Sequence, residues 1–232
     1  MANTKYRSLS RNVLTDEGAL EELLALGTRQ LPVISRGKDW VNGQSLKEIA
    51  RLVGIDLGII RHLPPAELVR RIDVVVDGAS RFFAQIPRTT WTTSFPVDRV
   101  PMHSLPGTCS NVVDAFLEHE EGIALQATAY NRVPAPGTTG QQILAYGGDV
   151  RQRFAAWWQS ALETRTDWNN SASVYYGDVS RHEFLERTTW HAGQHARQLM
   201  WILEDKLLIL PDRPIDPATW TGLPMPDKVW DS

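Results

Sequence analysis

The chain has 232 residues, 42% of them hydrophobic and 22% charged, which is enough apolar material for a packed core and excludes a disordered, collagen-like or low-complexity protein. Lys and Arg number 24 against 27 Asp and Glu, so the formal net charge is -3 and no basic footprint points to nucleic acid. No run approaches the roughly 18 apolar residues of a membrane helix, and the opening MANTKYRSLSRN carries no apolar signal segment. Cys109, the single cysteine, cannot form an internal disulfide, and the expected compartment is the cytoplasm.

Residues 1–58 read as a small α/β unit. YRSLSRNVL predicts an irregular strand. In TDEGALEELLALG, Thr15 is the expected N-cap, Leu20, Leu23 and Leu24 recur at helical spacing, and Gly27 is the stop. QLPVISRGKDWVNG predicts two short strands around Arg36-Gly37-Lys38. Ser45 then caps a helix, SLKEIARLVG, which Gly54 closes. Pro64-Pro65 marks a change of regime, so the domain boundary is expected at about residues 58 to 64.

Residues 59–210 predict four long helices. AELVRRIDVVVDGASRFFAQIP places Leu68, Ile72, Val75, Val76, Ala79 and Phe83 on one face. The second helix is expected at about 108–119. The third covers GTTGQQILAYGGDVRQRFAAWWQSAL, with an interruption at Gly147-Gly148, and the fourth spans about 179–206, capped by Asp178 or Ser180. Long helices joined by irregular loops read as an all-α bundle, with Trp157, Trp158, Trp190 and Trp201 filling its interior. Residues 211–232 hold five Pro and read as an extended arm, carrying Trp220 and Trp230, packed over the helices. The predicted class is α+β, mainly α.

The sharpest local feature is TTWHAGQHARQLMW. His191 and His195, four apart on a helix, project from one face about one turn from each other, a spacing that lets two nitrogens reach one metal ion. The Glu of H-E-x-x-H is absent, which excludes the metalloprotease pattern. The competing reading is two histidines packed at a helix seam. A third ligand would come from Cys109, placed near a helix N-terminus that favours its thiolate, or from His103; alternatively Cys109 is a small buried hydrophobe. His182, nine residues before His191, points away from the pair, and His119 reads as part of a solvated helix end. Arg187, Gln194, Arg197 and Gln198 surround the pair and either hold a carboxylate or phosphate or serve as caps and surface partners.

From residue 62 onward the chain resembles the DinB-like (YfiT-like) family of metal-binding four-helix bundles, on the strength of LERTTWHAGQHARQL and the later GLPMPDKVW. The resemblance implies a divalent metal, zinc or nickel, held by His191 and His195 with a His on the second helix, and relatives include thiol-dependent transferases and isomerases. Here Thr108 and Cys109 stand where that second-helix His is expected. Residues 6–55 resemble the later part of a glutaredoxin, a thioredoxin-like fold, on the strength of LGTRQLPVISRGKDWVNGQSLKEIARLVGI. That resemblance implies a cis-proline at Pro32 and glutathione pairing with the backbone around Leu31. The opening strand, first helix and Cys-x-x-Cys of such a fold are missing, so thiol–disulfide exchange is chemically unavailable.

Two functions follow. In the first, the protein binds a divalent metal and transfers a group to or from a small-molecule thiol, with glutathione as the thiol the N-terminal segment suggests. In the second, it is a non-catalytic binding or dimeric scaffold protein whose metal site has decayed. A partial sheet leaves an edge or an apolar face that a second subunit or the helical bundle must cover, and a homodimer, the commonest arrangement for such bundles, is the expected assembly.

Overall fold

The computed structural model describes residues 9–56, 62–88, 105–226, 228 and 229. The fold is α+β and mainly α, with two small antiparallel hairpins. It divides into two compact units, Met1–Ile60 and Arg61–Ser232.

The first unit runs α1 (Ala19–Ala25), β1 (Val33–Arg36), β2 (Asp39–Asn42) and α2 (Leu46–Val53). Residues 9–14 form no strand. The Asn12 carbonyl accepts from the amides of Thr15 and Asp16 at 3.2 and 2.8 Å, while Asp16 Oδ2 accepts from the Asn12 amide. These local bonds offer the backbone an alternative to extended pairing. The same turn delays the helix. Thr15 bonds to Asp16 instead of capping, and α1 starts four residues later behind Gly18. Beyond α1 the expectations hold. Gly27 adopts φ 76° at the helix end, β1 and β2 pair around Gly37, and the Ser45 hydroxyl accepts from the Glu48 amide before Gly54 closes α2. The Leu31–Pro32 peptide bond is cis, as the glutaredoxin resemblance implies.

The second unit contains α3 (Pro65–Gln85), α4 (Leu105–Glu120), α5 (Gly140–Glu163), β3 (Ser171–Val174), β4 (Gly177–Ser180) and α6 (Arg181–Trp201), followed by a π turn over Ile202–Lys206. Contacts between helices fix their directions. Phe116 meets Phe184 and Cys109 meets Ala192, so α4 runs antiparallel to α6. Tyr146 reaches Asn111 and Trp157 reaches Glu120, so α5 runs parallel to α4. Arg151 binds Asp73 and Asp77, and Gly147 faces Ser80, which sets α3 antiparallel to α5 and therefore parallel to α6. All six apolar positions expected on the α3 face are buried, and they join Phe82, Phe116, Phe184, Leu185 and Leu199 in one core. Each such side chain contributes roughly 1.5–3 kcal/mol through removal of apolar surface from water.

Three expectations are corrected. α5 is continuous through Gly147-Gly148: a Cβ at 147 would lie 3.2 Å from Ser110 Oγ and 3.3 Å from Ser80 Oγ, so that glycine permits close helix approach rather than a break. α6 begins at Arg181 because residues 171–180 form the β3–β4 hairpin, with Ala172 and Val174 buried, and Ser180 and Glu183 then make a reciprocal capping box. The tryptophans 157, 158, 190 and 201 are half-buried at the rim of a core filled by phenylalanines. An indole N–H needs a polar partner, as Trp157 shows by donating to Glu120 at 3.0 Å.

The Pro-rich arm lies along this unit. Arg71 donates to the carbonyls of Thr219 and Thr221, both at 2.7 Å, and Ile215 packs onto Gly78. Pro217–Trp220 makes a single 3-10 turn, and Trp220 covers Gly193 of α6. Trp230 lies outside the described residues.

Candidate metal and anion site on α6

The capping box starts α6 firmly, and its buried stripe of Leu185, Ala192, Ala196 and Leu199 turns toward the core. His191 and His195 flank that stripe with ring centroids 5.0 Å apart. The His195 Nδ1–H donates to Gln198 Oε1 at 2.8 Å, which leaves Nε2 as a bare lone pair. That Nε2 is buried without a hydrogen-bond partner, and so is His191 Nδ1. A buried polar atom left unpaired costs about 1–3 kcal/mol, and here two sit on adjacent turns of one helix. Burial lowers the pKa of both rings. At His191 the neighbouring His195 and the Arg187 charge lower it further, and at His195 the Gln198 bond opposes the shift. Both rings are neutral at pH 7, the form in which imidazole ligates metals.

Aromatic groups wall the pair. Tyr130 meets the His191 ring edge-to-face at 4.9 Å, and Trp190 lies 5.8 Å from it. The Arg187 guanidinium carbon sits 4.2 Å from the Tyr176 ring centroid and 5.3 Å from that of Trp190. The Tyr176 hydroxyl is buried and unpaired, and burial pushes the pKa of Tyr130 and Tyr176 up, so both phenols keep their protons. Tyr130 and Tyr176 were not expected from the sequence. Tyr130 lies in an aperiodic loop 61 residues before His191, and no local pattern announces it. Tyr176 sits at the turn of a hairpin whose period-two burial, Ala172 then Val174, was the readable signal.

Cys109 is fully buried, and its thiol donates to the Ala192 carbonyl at 3.6 Å. Burial pushes its pKa up, the opposite of the helix-terminus effect expected, because desolvation dominates one turn inside α4. Among the described residues no group of three His, Cys, Asp or Glu side chains comes together as a metal cage. The alternative ligand His103 and the side chain of Thr108 lie outside the described residues. His119 is not solvated. It packs 5.0 Å from Phe184 and bonds to the Ser173 carbonyl. His182 bonds to the Leu63 carbonyl, away from the pair, beside the hydrogen bond between His62 and Glu186.

The polar neighbours divide into two groups. Gln194 donates to the carbonyls of Lys228 and Val229, Arg197 to that of Pro226, and Gln198 to that of Val229. These three tie the arm to α6, whereas Arg187 faces the aromatic wall beside His191. A cleft lined by Glu118, Ile123, Leu125 and Arg132 includes neither histidine. In the first unit, Leu31 is 54% exposed and its backbone makes no hydrogen bond among the described residues, while the Pro32 carbonyl accepts from the Gly43 amide at 2.8 Å. No family model, curated protein or solved structure matches the chain.

Proposed function

We propose that the second unit is a DinB-like four-helix bundle that binds a divalent metal, zinc or nickel, through His191 and His195 and supports transfer chemistry on a small-molecule thiol. The observation that carries this reading is the pair of buried, partnerless imidazole nitrogens on neighbouring turns of α6. When bound, such a metal acts as a Lewis acid and lowers the pKa of a thiol or water in its open positions. The chain's own residues do the rest. Gln198 fixes the tautomer and ring orientation of His195, as outer partners of metal-ligating histidines do. Tyr130 and Trp190 shield the His191 ring from water. Cys109, held by the Ala192 carbonyl, supports the helix seam and is not needed as a ligand.

The first unit, read as a partial thioredoxin-like segment, supports glutathione as the thiol through the open backbone at Leu31. Lacking a nucleophilic thiolate, it contributes binding and assembly. Its exposed Leu9, Leu14, Leu20, Leu24 and Ile34 favour a homodimer. A second reading, a non-catalytic scaffold, draws on the absence of a three-ligand group among the described residues.

Elemental analysis of untagged protein after incubation with zinc or nickel tests the proposal. Near-stoichiometric metal is expected in the parent and in Cys109→Ala, and its loss in His191→Ala. A parent that takes up no metal overturns the proposal and leaves the scaffold. Metal lost in Cys109→Ala with the fold intact would return the thiol to the ligand set.

A further inference from the structure

Away from the histidine pair, α4 and the loop that follows it enclose a cleft of about 380 Å³, a size common among small-molecule sites. Both ends of that loop are tied to α4. The Ile123 amide donates to the Glu118 carbonyl at 2.9 Å, and the Asn111 side-chain amide donates to the Arg132 carbonyl at 2.8 Å. Between these ties, Leu125 bridges to Val174 of β3, and the Gln126 carbonyl accepts from the Ala129 amide at 3.0 Å. The walls are therefore preformed, and a ligand is spared the cost of ordering them.

The polar groups of the cleft restrict what it can hold. Arg132 meets Glu118 end-on, with Nη1 donating to Oε1 at 2.8 Å and Nη2 donating to Oε2. Nη1 also reaches Asp114 Oδ2 at 3.4 Å. These bonds leave Nε–H and one Nη2–H, the other edge of the planar guanidinium, without a partner among the described residues. The Arg132 side chain is 41% exposed, so that edge is accessible. The exposed Gln126 carboxamide is also without a hydrogen-bond partner among the described residues. Glu118 and Arg132 are the charged residues of the lining, and they neutralise each other. An anion entering the cleft meets the Glu118 charge, and a cation meets the Arg132 charge, each with its opposite already taken. Ala115, Leu125 and Ala129 supply buried apolar lining, and Ile123 is half exposed beside them.

We propose that this cleft binds an uncharged carboxamide ligand carrying a short aliphatic group. The ligand carbonyl accepts from the free edge of Arg132, its N–H donates to the Gln126 oxygen, and its aliphatic group lies on Ile123, Leu125 and Ala129. A charged donor makes a stronger hydrogen bond than a neutral one, and a carbonyl accepts it without bringing a second charge beside Glu118. The cleft does not depend on metal at the histidine pair. Tyr130, the residue after Ala129, packs on His191, so one loop walls both sites.

The test titrates N-acetylleucinamide, N-acetylleucine and leucinamide into the isotope-labelled full chain without added metal, reading dissociation constants from assigned amide shifts. The three compounds share one skeleton and are neutral, anionic and cationic near pH 7. The neutral compound is expected to bind about tenfold more tightly than either charged one, with shifts centred on residues 118 and 123–132. Arg132→Lys keeps a positive charge beside Glu118 but removes the planar edge, and should weaken the neutral compound about tenfold. Ala124→Trp, at an exposed position of the lining, should abolish binding by filling the cleft. Equal binding of the three compounds, shifts centred elsewhere, or unchanged affinity in either variant overturns the proposal. Ala124→Trp leaves the Arg132–Glu118 pair in place, so it serves if Arg132→Lys fails to fold.

Discussion

The two units of this chain are built to different standards of closure. In the second, four long helices bury a continuous core in which Phe82, Phe83, Phe116 and Phe184 are at most 1% exposed. In the first, the buried apolar side chains are Ala19, Leu23 and Ala50, while Leu14 is 90% and Leu9 81% exposed among the described residues. A segment of about 60 residues has little surface to hide in any case, and a two-stranded hairpin with two short helices hides less still. The contrast teaches where rigidity is available. A site that must hold two imidazoles at a fixed separation belongs in the helical unit, and the first unit is suited to presenting backbone and apolar surface to something else.

That contrast can be broken or sharpened by experiment. Phe184→Ala should cost about 3–5 kcal/mol in chemical denaturation, because it opens a cavity at the crossing of α4 and α6; a loss under 1 kcal/mol would mean that the core is not the source of rigidity. Asp114 comes next. It accepts from Tyr146 at 2.7 Å and Arg153 at 2.6 Å and faces Arg132, linking α4 to α5 and to the loop between them. Asp114→Ala should cost about 2–3 kcal/mol by the same measurement, since its partners lose a buried acceptor.

The third expected effect is a loss of stability in acid. The folded-state pKa values of His191 and His195 lie below the ordinary 6.5, so the unfolded chain takes up protons there that the folded chain refuses. Stability is full above pH 6.5 and falls as pH drops below it, by up to about 1.4 kcal/mol per pH unit for each ring. Metal-free protein should be less stable in chemical denaturation at pH 5.5 than at pH 7.5, and a double His→Asn variant should show a smaller difference. The smallest effect belongs to the first unit. Leu24→Ser, at a 45% exposed position, should change monomer stability by less than about 0.5 kcal/mol while weakening any self-association seen by sedimentation. A change of 2 kcal/mol or more there would show that the first unit is closed after all.

The sequence made the regular parts of both units legible because their causes are local. The stripe from Leu68 to Phe83, the Ser45 cap and the stops at Gly27 and Gly54 are each set by residues within a few positions. The errors fall where a distant partner or a competing local bond decides. Gly147 was read as a break because Ser80 and Ser110, the side chains it admits, are far away in the chain. The start of α1 slipped from Thr15 to Ala19 because Asn12 and Asp16 tie a turn first. Of the site, helical periodicity revealed the His191–His195 pair, whereas Tyr130 and Tyr176 reach it only through tertiary packing. Cys109 was weighed by its place near a helix start, and its complete burial outweighs that place.

The bond from His195 to Gln198 continues from the Gln198 amide to the carbonyl of Val229, near the end of the chain. The orientation of one site imidazole is thus mechanically connected, through a single side chain, to the C-terminal segment. A purification handle, a fluorescent fusion or a surface-immobilisation linker attached behind Val229 would load that connection directly.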